Sequence, residues 1–89
     1  MVKILVCDDQ EVVCQGLRAI LSTDNTINVV GIANNGAEAI DILEKKAVDL
    51  ILMDLKMPII NGIQVTKMIK ETHPRIKILV LSTYEQMPG

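Results

Sequence analysis

The chain has 89 residues, enough for one domain with a modest core. Hydrophobic residues make up 49% of it and charged residues 22%, which excludes a disordered or fibrous chain. A formal net charge of -2 and a single aromatic residue, Tyr84, exclude a basic nucleic-acid footprint and a base-stacking platform.

Val2–Cys7 is a β-branched apolar run that stops hard on Asp8-Asp9, the pattern of a buried strand. From Glu11 the period changes. Val13, Leu17, Ile20 and Leu21 fall at helical spacing, with Asp9 as the N-cap candidate and Asp24-Asn25 as the break. Ile27–Ala33 predicts a second strand and Asn34-Asn35-Gly36 a turn. Ala39, Ile40, Leu43 and Ala47 mark a second amphipathic helix. Residues 50–53 form a third strand, and Ile63, Val65, Met68 and Ile69 a third helix, stopped near His73 by Pro74. Residues 77–82, KILVLS, predict the fourth strand, and 84–89 show no pattern. Cys7 and Cys14 lie in apolar or amphipathic runs without metal-ligand spacing, so they read as core thiols of a reducing compartment. No apolar run reaches the length of a membrane span, which predicts a soluble, cytoplasmic protein.

The β-α-β-α-β-α-β order implies right-handed crossovers and an α/β fold, a parallel sheet with helices on both faces. Such sheets bind ligands beyond the carboxyl ends of their strands. Asp8-Asp9 follow strand one, Asp54 follows strand three, and Ser82 and Thr83 follow strand four. If strands one and three are neighbours, three carboxylates meet at one rim. Their repulsion is relieved by a hard divalent cation, and oxygen ligands suit Mg²⁺. The plain alternative is that Asp8 and Asp9 only cap a helix and Asp54 only starts a turn. Ending buried strands on acids and hydroxyls costs desolvation that capping does not require. A cation, a spare carboxylate and a hydroxyl together suit phosphoryl transfer to a carboxylate oxygen.

These residues carry a resemblance. Asp8-Asp9, then D-x-x-M-P-x-x-N-G from Asp54 through Met57-Pro58 to Asn61-Gly62, then Ser82, resemble the receiver domain of bacterial response regulators. GLRAIL at 16–21 and LSTYE at 81–85 are similar to the subgroup whose receivers precede a helix-turn-helix DNA-binding domain. The resemblance implies a flavodoxin-like, doubly wound sheet with strand order 2-1-3-4. It makes Asp54 the acceptor of a phosphoryl group from a sensor histidine kinase. Asp9 would bind Mg²⁺ directly, Asp8 largely through water, and the backbone carbonyl of Lys56 would add a ligand. Ser82 would hydrogen-bond the phosphoryl group, while Met57, Pro58 and Gly62 shape the loop. Helix one is the kinase-docking element of the family, with Gln15 and Arg18 as candidates.

The resemblance also implies that residues 1–89 form a truncated receiver, because nothing here matches the family's last helix-strand-helix or its phosphate-contacting lysine. DNA would be reached only through an output domain outside this chain. Strand four would then be an apolar edge, which implies a homodimer or an element-swapped oligomer. Two other readings stay open. One is a non-switching remnant that binds or dimerises. The other is an aspartyl-intermediate phosphatase of the haloacid-dehalogenase type, disfavoured because Asp8-Asp9-Gln10 lacks that family's D-x-D pattern.

Overall fold

The computed structural model describes residues 1–54 and 62–81. Its elements alternate as expected: β1 (Val2–Cys7), α1 (Glu11–Leu21), β2 (Ile27–Ala33), α2 (Gly36–Lys45), β3 (Leu50–Asp54), α3 (Gly62–Thr72) and β4 (Lys77–Leu81). The four strands form one parallel sheet in the order β2-β1-β3-β4.

Period-2 alternation splits β1 between two cores. Ile4 and Val6 face α1, where Cys14 and Leu52 complete a buried cluster bordered by Leu17 and Leu21. Leu5 and Cys7 face the other side, with Ile51 and Met53 of β3, Ala39 and Leu43 of α2, and Val65 and Ile69 of α3. From Ile4 to Cys7 both faces of β1 are therefore dry, which is why that stretch runs apolar without a polar alternate. Cys7 and Cys14 are both free and buried, as the sequence predicts.

Several local expectations are corrected. Asp9 does not cap α1. Gln10 holds the N-cap position and its side chain makes no capping bond, while Oδ1 of Asp8 accepts the Gln10 amide at 2.9 Å. Ile20 is 67% exposed rather than core. Cys14, Leu17 and Leu21 form a narrow buried stripe, and Ile20 lies one residue, about 100°, around the helix from Leu21. Met68 is likewise exposed rather than a core filler. Ala47 is exposed because α2 ends at Lys45 and Lys46 is already extended.

At the start of α2, Oδ1 of Asn35 accepts the Glu38 amide at 2.9 Å and Oε1 of Glu38 accepts the Asn34 amide at 2.7 Å. The Asn-Asn turn is thus also a helix start, with orphan amides satisfied by reciprocal bonds. One irregularity interrupts β2. Ile4 pairs with Val29 but Leu5 with Gly31, so Val30 is bulged out of the ladder. Its carbonyl accepts Nζ of Lys46 at 2.9 Å. At the opposite side of the sheet β4 is the outer strand among the described residues, with Leu79 51% and Val80 40% exposed. Among the described residues no helix is long and apolar enough to cross a membrane.

Candidate functional site

The sheet order creates the site. From β1 the chain passes over one face through α1 to β2, then returns over the other face through α2 to β3. The connections leaving β1's two sides diverge between β1 and β3. This is the switch point where open α/β sheets leave a crevice beyond the strand ends.

The register fixes what lies there. Cys7 pairs with Met53 in the last step of the β1–β3 ladder. Asp8 and Asp54 are the next residues of their strands, so their backbones leave the sheet side by side, at the spacing of neighbouring strands, about 4.8 Å. Asp54 in turn pairs with Leu81, the residue before Ser82. The expected neighbourhood of strands one and three is therefore observed.

Asp8 is the buried member of the acid pair, at 4% exposure, whereas Asp9 is exposed. The backbone of Asp8 is fixed on all sides. Its amide donates to the Ala33 carbonyl at 3.0 Å. Its carbonyl lies 3.4 Å from both the Cys14 thiol and the Asn34 side-chain amide, each of which donates to it. Its carboxylate takes the Gln10 amide. Burial, followed by the negative charge of Asp8, pushes the Cys14 thiol above its ordinary pKa, so it stays protonated and serves as a donor.

Asn34 and Cys14 were not legible as supports of the site. The signal lies in three dimensions: β1 and β2 end in the same row, Cys7 against Ala33, so the residue after Ala33 reaches the residue after Cys7. Gly62 opens α3, where it was expected to lead the chain into that helix. Lys56, Met57, Pro58 and Ser82, and the side chain of Asp54, fall outside the described residues. Among the described side chains no three of His, Cys, Asp and Glu converge as a metal cage. Asp8 and Asp9 follow β1 at the rim where the backbone of β3 ends at Asp54.

Residues 4–88 match the response regulator receiver domain. The chain is 44% identical over 82 residues to the uncharacterized transcriptional regulatory protein YhcZ of Bacillus subtilis, covering 92% of this chain and 38% of that protein. It is 38% identical over 85 residues to the transcriptional regulatory protein LnrK of the same organism, covering 96% of this chain and 39% of that one. The chain thus spans about two fifths of the length of these relatives. Among solved structures, the response regulator protein TrrA of Thermotoga maritima, in complex with Mg(2+)-BeF, superposes with a TM-score of 0.87 at 30% identity. That match covers 96% of this chain and 72% of that one. Sequence, strand order and the paired strand ends agree: the chain belongs to the response regulator receiver domain family.

Proposed function

We propose that the chain is a phosphoacceptor of a two-component system, with Asp54 taking a phosphoryl group from a sensor histidine kinase in the presence of Mg²⁺. The observation that carries this reading is the register of β1 and β3, which brings Asp8 and Asp54 to adjacent strand ends. The donor chemistry fits the ion: carboxylates with room for water are hard oxygen ligands. Asp8, Asp9 and Asp54 would hold Mg²⁺ with the Lys56 carbonyl. The ion, when bound, offsets negative charge on the phosphoryl oxygens. That the Thermotoga relative was solved in complex with Mg(2+)-BeF supports a Mg²⁺ site here.

In this reading Asp54 attacks phosphorus with one carboxylate oxygen, and the bond to the kinase histidine breaks in line. Ser82 donates its hydroxyl to a phosphoryl oxygen. Met57, Pro58 and Gly62 shape the loop that positions these groups. Buried Asp8 is held in place through the Gln10 amide on its carboxylate and through Cys14 and Asn34 on its backbone carbonyl. Helix α1 borders the acids and exposes Val12 and Ile20 together with Gln15 and Arg18, an apolar and polar surface for the kinase. DNA would be reached through an output domain outside these 89 residues, in a cytoplasmic setting.

Incubation with acetyl phosphate and Mg²⁺, followed by intact-mass measurement, tests this. The expected result is the mass of one phosphoryl group, lost with EDTA and in Asp54→Ala. No added mass, or the same addition in Asp54→Ala, overturns it. A second reading, a binding or dimerisation module, is favoured by one observation: the exposed Leu79 and Val80 on edge strand β4. Unpaired edges with apolar side chains recruit further strands. Association of two copies through β4, or by exchange of elements, is compatible with either function.

A further inference from the structure

We propose that the end of the sheet opposite the acids holds a second binding site, for a small carboxylate with a hydrocarbon body. A cavity of about 380 Å³ opens there between the C-terminus of α2 and the turn joining α3 to β4. Its volume lies within the range of small-ligand pockets, roughly 300–1,000 Å³. The floor is the main core itself: Leu43, Val48 and Ile76 are buried members of the cluster under α2 and α3. The rim carries fixed positive charge. Lys46 and Arg75 line it beside His73, and no Asp or Glu does, in a chain whose net charge is negative.

The cations are not consumed locally. The ion pair among the described residues joins Lys45 to Asp41, and neither Lys46 nor Arg75 takes part in one. Asp49, next in the chain after Val48, directs Oδ2 to the Lys3 amide at 2.9 Å. Lys46 is anchored rather than floppy, because its Nζ is held by the bulged Val30 carbonyl, and an ammonium keeps further donors for a second acceptor. Positive charges near helix C-termini have a bland explanation, the favourable dipole, and it covers Lys46. Arg75 follows the Pro74 turn, outside any helix, and that explanation does not reach it. An apolar floor with a few convergent polar groups of one sign selects an amphipathic ion of the other sign.

Titration of octanoate into the 89-residue chain, followed by amide shifts in two-dimensional NMR, tests the site. Saturable shifts are expected at 43–48 and 73–76, with a dissociation constant below about 1 mM. Octylammonium, with the same tail and the opposite charge, is expected to give none there. Arg75→Glu, at an exposed position, should weaken octanoate about tenfold. Ala47→Phe, also exposed, should block the cavity without burying anything new, and serves as a second variant if Arg75→Glu perturbs the fold. Non-saturating shifts, equal shifts with octylammonium, or unchanged affinity in both variants would each overturn the proposal. Phosphoryl loading of Asp54 is a separate readout, so the two sites fail independently.

Discussion

Asp8 is a carboxylate in a dry place, held by bonds that make different demands on its side chain and its backbone. The Gln10 amide needs an acceptor oxygen, not a charge. Asp8→Asn keeps that oxygen and removes one negative charge from a crowded rim. It should unfold at a urea concentration equal to or above that of the parent while losing Mg²⁺-dependent phosphoryl loading. Asp8→Ala removes the acceptor as well and should cost about 1–2 kcal/mol, read from the same urea midpoint. Cys14 gives a prediction in the alkaline range. Burial raises its folded pKa above that of a thiol in the unfolded chain, so the contribution is complete below the ordinary thiol pKa and is lost as pH rises past it toward the folded value. The unfolded chain ionises its thiol first and is thereby favoured. Urea midpoints should fall between about pH 8 and pH 10, and fall less in Cys14→Ala. A midpoint that declines equally in both proteins would assign the loss to other groups.

At the scale of elements, periodicity carried most of the fold. All four strands and three helices were legible because each is a clean apolar run or a clean amphipathic stripe, punctuated by Asp-Asp, Asp-Asn, Asn-Gly or Pro. The site was legible where it followed from strand order, as for Asp8 beside Asp54. It was not legible where it depended on contacts across strands, as for Asn34 and Cys14 gripping the Asp8 carbonyl. The Val30 bulge left only a faint mark in the sequence, Gly31 inside an otherwise apolar strand, which does not say which residue is skipped. The width of a buried stripe is also a tertiary property, which is why Ile20 read as core and lies outside it. The α2 start is the element most open to a local test. Asn35→Ala removes the bond to the Glu38 amide and should cost about 1 kcal/mol in chemical denaturation, with Asn35→Asp close to neutral. Gly31→Ala would place a Cβ 3.4 Å from two Ile42 side-chain carbons and 3.5 Å from Leu5, contacts tight enough to need a small shift. It should be tolerated with a loss of no more than about 1 kcal/mol, because those neighbours are side-chain tips rather than backbone.

For the whole molecule, the two ends of the sheet carry different residues. Asp8 and Asp9 follow β1 at the strand carboxyl ends, and Lys46 and Arg75 line the cavity at the other. The sheet is finished unevenly from side to side as well, since β4 leaves Leu79 and Val80 open. Leu79→Lys should reduce self-association at micromolar concentration in sedimentation velocity while leaving phosphoryl loading intact. A parent chain that already sediments as a monomer would remove the edge-pairing reading. The position of β1 has a kinetic consequence. Val2–Cys7 is an inner strand, paired on both sides, by Ile27–Ala33 and Leu50–Asp54. No two of the described strands are joined by a hairpin, so every rung closes over a crossover that must be ordered first. Refolding should therefore be slower than in helical bundles of similar length, and a ribosome would release this inner strand long before the segments that shield it.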